Sequence, residues 1–359
     1  MSVMNNNEIK SKITDLWNQF WAGGISNPLS AIEQISYLLF MRRIDELDTN
    51  KMKQAEWSGE QYVSKFDDVF YLTQKDEDEK KNAINREDMR WSKFKMLEAE
   101  EMLRVVSGQV MPFLKQLNGK TSHFTKHMKD AALIIQKPSL LVSAVRLIDE
   151  IYVEINKEVE ENGQTFFDIQ GDVYEYLLKA IATSGKNGQF RTPRHIIKLI
   201  AELVKPQYDQ KIGDPACGTG GFLLGAYEFV ITELAKKSKN VNAIDSIKED
   251  EDGFFRTTTT GMLTQENYDD INKSLVGFDI DVTMVRLGLM NLMMHGIEDP
   301  RIDYSDSLSK KHTEPNGTYD VVMANPPFSG NIDSQDKSED LNIQTTKSEL
   351  LFLSKIYNM

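Results

Sequence analysis

One cysteine, Cys217, stands among 359 residues, so no disulfide can form within the chain and a cysteine-based zinc cluster is excluded. Histidine is scarce too, at five. The one pair at metal-ligand spacing, His123 and His127 in HFTKH, has no nearby carboxylate to complete a site and reads as a solvated helix face, so no metal is expected. No apolar run approaches the ~20 residues needed to span a bilayer. The N-terminus MSVMNNNEIKSK carries no apolar signal core, which points to the cytoplasm and away from a membrane. Positive charge is also short: 42 Lys and Arg against 55 Asp and Glu leave a net charge of −13. Bulk charge therefore cannot carry nucleic-acid binding. What is present, 40% hydrophobic and 27% charged residues, suits a folded chain of about two domains.

Residues 1–160 read as a helical domain, because apolar positions recur at helical spacing and almost no alternating pattern appears. Ile13, Leu16, Trp17, Phe20 and Trp21 make one stripe. Asn27 as N-cap with Pro28 in the first turn opens a second helix with Leu29, Ile32, Ile35 and Leu38 or Leu39 on one face. Phe94, Leu97, Met102, Val105 and Val106 suggest a third helix, and Leu140 to Ile155 a fourth. These stripes read as bundle core, and the charge run 73–82 as a solvated loop. From residue 164 to 359 the pattern changes to helices alternating with short apolar runs that end in Asp or Asn, which predicts an open α/β sheet. The candidate strands are Lys211 to Asp214, Leu275 to Asp279, Arg301 to Tyr304 and Tyr319 to Ala324. Between the first two, the polar stretch 236–271 with its TTTTG run looks like a long inserted loop.

Two motifs carry chemistry. DPACGTGGFL, from Asp214 to Leu223, follows an apolar run and opens a helix. Gly218, Gly220 and Gly221 let the backbone approach a ligand closely, and the helix start presents free N–H groups. The loop lacks the G-x-G-x-x-G order and any phosphate-binding lysine, so a nucleotide-like cofactor without an obvious phosphate contact fits it best. Asp279, ending the next strand in GFDID, suits ribose hydroxyls. The second motif is NPPF. Pro326 and Pro327 stiffen its turn and remove N–H donors, leaving the Asn325 side-chain oxygen and the Pro326 carbonyl as fixed acceptors suited to an exocyclic amino group. Phe328 supplies a stacking face for a planar base. Cys217 has no histidine nearby in sequence and reads as a small packing residue rather than a nucleophile.

These residues resemble S-adenosylmethionine-dependent amino-methyltransferases, and more narrowly the modification subunit of type I restriction-modification systems. GQFRTPRHIIKLIAELV (188–204) ahead of the glycine loop, the Asp-Pro-Ala-Cys-Gly-Thr-Gly-Gly-Phe form of that loop, and the helical N-terminal region carry the narrower likeness. The resemblance implies a helical N-terminal domain followed by a Rossmann-like methyltransferase domain that methylates adenine N6 in double-stranded DNA. It also implies partners: a specificity subunit, a restriction subunit and a second modification subunit. Gln189, Phe190, Thr192, Pro193 and Arg194 would line the methionine end of the cofactor, with Thr192 as N-cap and Pro193 in the first helical turn. Asp214, Thr219, Gly220 and Gly221 would hold its methionine portion, Asp279 its ribose, and Asp306 its adenine amino group, with Gly218 also binding the cofactor. A turn-former or N-cap role for Asp306 stands beside that assignment.

Two departures from the family pattern matter. Arg191 stands where the family carries a second aromatic residue, and the chain stops in the helix after NPPF, where the family's sheet continues. On that basis the sequence reads as a fragment or an interrupted gene product with an incomplete sheet, whose activity alone is doubtful and whose last strand leaves an exposed edge. Alternatives are a protein glutamine methyltransferase, which usually carries Tyr after the prolines and lacks the QFRTP-like element, and an inactive remnant that only binds cofactor or partners.

Overall fold

The computed structural model describes residues 6–119, 121–162, 173–174, 176–178, 192–250, 252–257, 265–328, 330–341 and 343–359. They divide into two compact units, 3–162 and 163–359. No helix among the described residues is long and apolar enough to cross a membrane.

In the first unit, α1 (Asn7–Ala22) begins where the Asn6 side chain accepts hydrogen bonds from the Glu8 and Ile9 N–H groups. It buries Ile9, Ile13, Leu16 and Phe20. The expected stripe was one position too wide: Trp21 is 51% exposed, because it lies further round the helix than that face. α2 (Pro28–Ser58) starts as expected, with Asn27 accepting from the Leu29 and Ser30 N–H groups, and ends at Gly59 in the left-handed region. β1 (Val69–Phe70) and β2 (Ile84–Asn85) form a two-residue antiparallel ladder. Between them the charge run is not a plain loop: it forms the exposed α3 (Gln74–Glu79), nucleated by Thr73 accepting from the Asp76 N–H. The expected third helix is broken. α4 (Trp91–Phe94) ends before α5 (Ala99–Val105), because Glu98 is extended, and a π-helical stretch over Val106–Val110 leads into α6 (Met111–Leu114). α7 (His123–Met128) buries His127, correcting the expectation of a solvated face. α8 (Pro138–Asn162) packs against α1 and α5.

The second unit carries α9 (Arg194–Val204), β3 (Ile212–Asp214) and α10 (Gly221–Lys237), then α11 (Val241–Asp245), β4 (Lys248–Glu249) and β5 (Phe255–Arg256). It continues through α12 (Gln265–Ser274), β6 (Leu275–Asp279), α13 (Val282–Met294), β7 (Arg301–Tyr304), β8 (Val321–Val322) and α14 (Ser348–Asn358). The central sheet is parallel throughout, in the order β7-β6-β3-β8. β8 is shorter than the expected strand, although the Asp320 and Met323 N–H groups still donate across to the Lys211 and Gly213 carbonyls. The insertion is not one loose loop either. β4 and β5 form an antiparallel hairpin pinned to α9, with Lys198 bonded to Asp250 (2.5 Å) and Asp252 (3.2 Å), and Arg256 to Glu202 (2.8 Å).

The strand order places the site. From β3 the chain steps outward to β6 and β7, then crosses back to put β8 on the other side of β3. A crevice opens at such a switch point, outside the carboxyl ends of β3 and β8. The glycine loop follows β3 and NPPF follows β8, so both are delivered to that crevice.

Candidate functional site

The loop between β3 and α10 turns twice through the left-handed region, at Gly218 (φ +54°) and Gly220 (φ +77°), where a side chain would strain the backbone. It is held from three sides. The Gly218 N–H donates to Asp279 Oδ2 (2.8 Å), the Asn291 Nδ2 to the Thr219 carbonyl (2.9 Å), and the Ser307 hydroxyl to the Pro215 carbonyl (2.7 Å). Asn291 sits fully buried in α13, where its amide nitrogen holds this loop. α10 starts with no side-chain cap, leaving its first N–H groups facing the crevice end of the sheet.

Two carboxylates end the neighbouring strands. Asp279, at the end of β6, accepts from the Gly218 and Asp281 N–H groups (both 2.8 Å). Burial nonetheless lifts its carboxyl above the usual range. Asp214, at the end of β3, is 1% exposed; its Oδ1 accepts from the Ala216 N–H, and its Oδ2 has no hydrogen-bond partner. Burial first, and then the nearby Asp279 charge, push its carboxyl up to about 8. Burial also raises the Cys217 thiol, with both carboxylates adding to the effect, so this sulfur is a protonated packing group against Gly277.

After β8 the chain enters the Asn-Pro-Pro-Phe turn. Asn325 donates through Nδ2 to the Thr192 hydroxyl at 2.9 Å. Phe328 is 69% exposed, its ring open to a partner. Beyond β7, Asp306 Oδ1 accepts from the Leu308 N–H (3.0 Å), and the Ser305 hydroxyl is bonded to His312 Nδ1 (2.9 Å).

These elements surround one cleft of about 490 Å³. Thr192, Gly218, Thr219, Gly221, Asp279 and Asp306 line it, together with Asn325, Pro326, Pro327 and Phe328. Other expected residues fall elsewhere. Asp214, ending β3, and Gly220, closing the loop, do not line the cleft. Pro193 and Arg194 do not line it: the Arg194 guanidinium turns to the buried Glu228 carboxylate on α10 (3.2 Å). Gln189 and Phe190 lie outside the described residues. The expected cap is also displaced. Pro193 occupies the N-cap position of α9 with no side-chain hydrogen bond, and Thr192, one residue earlier, bonds Asn325 instead. The sequence did not reveal Leu178, Ile280, Ser305 and Phe352, which complete the wall.

Residues 166–358 match the family described as N-6 DNA Methylase, and residues 9–148 match the HsdM N-terminal domain. The chain belongs to the N-6 DNA methylase family. It is 26% identical over 361 residues to the type I restriction enzyme StySPI methylase subunit of Salmonella potsdam, covering 98% of this chain and 56% of that one. It is likewise 26% identical over 265 residues to the EcoEI methylase subunit of Escherichia coli, covering 72% of this chain and 47% of the relative. The chain spans about half the length of these curated relatives. Among solved structures, the type I restriction-modification methyltransferase subunit from Streptococcus thermophilus superposes with a TM-score of 0.57 at 20% identity, over 97% of this chain and 71% of that one. At that identity the likeness establishes the fold: a helical N-terminal unit followed by a methyltransferase domain built on a parallel sheet. Membership of this family sets aside the glutamine-methyltransferase alternative.

Proposed function

We propose that this chain is the modification subunit of a type I restriction-modification system and transfers a methyl group from S-adenosylmethionine to N6 of adenine in DNA. The observation that carries the reading is the convergence of the glycine loop and the Asn-Pro-Pro-Phe turn on one cleft, with Asn325 Oδ1 left as an acceptor because Nδ2 is engaged by Thr192.

The cleft suits the cofactor. A side chain added at Gly218 would meet no atom within 4 Å, so the backbone there is open to a ligand, and Asp214 keeps an oxygen without a partner at the strand end that leads into the same loop. Thr219 and Gly221 would hold the methionine portion, Asp279 would accept from the ribose hydroxyls, and Asp306 would receive the adenine amino group. The elements around Gly218, Gly220 and Asp214 support that end, with Gln189, Phe190, Pro193 and Arg194 assigned to it by resemblance. When bound, S-adenosylmethionine supplies an already activated sulfonium methyl, so transfer needs no base to generate the nucleophile.

The chain's own residues supply position and fixed dipoles. Asn325 Oδ1 and the Pro326 carbonyl accept from the two N–H bonds of the target amino group, which draws its lone pair out of the ring and toward the methyl. Pro326 and Pro327 offer no N–H to compete. Phe328 stacks on the base, which must leave the duplex to reach the cleft. A net charge of −13 repels phosphate, so tight DNA binding calls for the specificity subunit to supply positive field and base readout, in a complex with a second modification subunit and the restriction subunit. Asn325→Ala lowers methyl transfer at least ~100-fold and leaves S-adenosylmethionine affinity within a few-fold, measured by labelled-methyl incorporation and calorimetry. Near-normal methylation by that variant would overturn the reading.

A further inference from the structure

We propose that Thr192 is a positioning residue for the Asn-Pro-Pro-Phe turn: its hydroxyl holds the Asn325 amide with the nitrogen turned away and the oxygen presented to the target amino group. The inference rests on the reading of Asn325 as that group's acceptor and assigns what makes it one.

An asparagine amide has an acceptor end and a donor end of nearly equal size, related by a half turn about a broad, two-fold terminal torsion. With the oxygen toward the cleft, Asn325 accepts from an exocyclic amino group. With the nitrogen toward it, N–H donors oppose N–H donors. The two prolines rigidify the backbone of the turn but have no hold on this torsion. The contact on that torsion comes from 133 residues away, where Asn325 Nδ2 donates to Thr192 Oγ1 at 2.9 Å, and both residues are partly buried in the cleft wall.

Thr192 is free for this task because of how α9 begins. Had it capped that helix, its oxygen would accept from the backbone N–H groups of the first turn. The helix instead starts one residue later, with Pro193 at the N-cap position and no side-chain cap bond. Beyond α9's first residues, ion pairs from Lys198 and Arg256 fix the helix to the β4–β5 hairpin, so the segment carrying Thr192 leads into a braced element. The threonine ahead of α9 thus joins the two halves of the cleft, one from the segment before the glycine loop and one from the turn after β8.

The test is a double-mutant cycle on the chain in complex with its specificity subunit, read by single-turnover methyl transfer and by cofactor affinity. Thr192→Val is expected to slow transfer about tenfold at saturating cofactor, and Thr192→Ser to recover most of the loss. In an Asn325→Ala background, Thr192→Val is expected to cause no further loss. An equal further loss in that background, a changed cofactor affinity with an unchanged rate, or a Ser variant as slow as Val would overturn the proposal. No effect of Asn325→Ala itself would instead overturn the functional reading beneath it. A second readout needs no turnover: in the free chain labelled with 15N-asparagine, the side-chain amide signal that disappears in Asn325→Ala should shift in Thr192→Val and stay in place in Thr192→Ser. An unmoved signal in Thr192→Val contradicts the hydrogen bond.

Discussion

Two buried charged residues, Arg90 in the helical unit and Asp214 in the sheet unit, are treated in opposite ways. In the helical unit, Arg90 is buried and fully engaged: it donates to Asp45 (2.8 Å), Asp48 (2.7 Å), Glu87 (2.6 Å) and Ser64 (3.0 Å). Burial alone would raise the Asp48 carboxyl, yet hydrogen bonds from Ser64, the Lys65 N–H, Arg90 and Tyr62 hold it below the usual range. In the sheet unit, Asp214 is buried just as deeply, has one oxygen unpartnered and is pushed up to about 8. The helical unit's network ties the segment after α2 to its core. At these two residues, the satisfied buried charge ties the helical unit together, and the unsatisfied one sits at the strand end that leads into the glycine loop, where stability is given up for function.

Opposite treatment predicts opposite mutational signs. For Asp214, the folded carboxyl titrates near 8, against about 4 in the unfolded chain. The folded state therefore holds that proton more tightly; the stability this provides is full below about pH 4 and is lost as the pH rises toward 8. Asp214→Asn keeps the bond to Ala216 and has no proton to lose. Without cofactor it should be more stable than the parent at pH 8, by on the order of 5 kcal/mol, with the advantage shrinking to nothing near pH 4. Urea unfolding across that range checks it, and a pH-independent difference would contradict it. Removing Arg90 should do the reverse. Arg90→Met leaves Asp45 and Asp48 buried without their partner and should cost about 3–5 kcal/mol at neutral pH. A variant as stable as the parent would mean that the network is not what holds the helical unit. Smallest is the effect at Asp279, which combines both roles. Asp279→Ala should weaken S-adenosylmethionine about 10- to 100-fold by calorimetry, through lost acceptors for buried hydroxyls, and an unchanged affinity would remove Asp279 from the cofactor's site.

How much of this was legible in the sequence follows the range of the forces. The Asn27 cap, the strands from Leu275 and Arg301, the glycine loop and the proline turn are written in consecutive residues, and the structure has them where the sequence implied. The parallel strand order could then be built from them. What was misread depends on partners far along the chain. Thr192 was given to the helix beside it, because a threonine before a proline looks like a cap, while its partner lies beyond β8. The insertion looked structureless because the ion pairs that pin its hairpin reach back to Lys198 and Glu202. His127 looked solvated because its sequence neighbours are polar, and tertiary packing buries it. The Arg194–Glu228 pair was not legible either, because only the fold brings Glu228 to meet Arg194.

The proposed function is methylation, in the cleft between the glycine loop and Asn325, of an exocyclic amino group of adenine in DNA. The most direct test supplies the chain and its specificity subunit with labelled S-adenosylmethionine and cognate duplex, digests the DNA to nucleosides and separates them. Label is expected in N6-methyldeoxyadenosine and is lost when Asn325 is replaced by Ala. Label in methylated cytosine, or on protein and not on DNA, would contradict it.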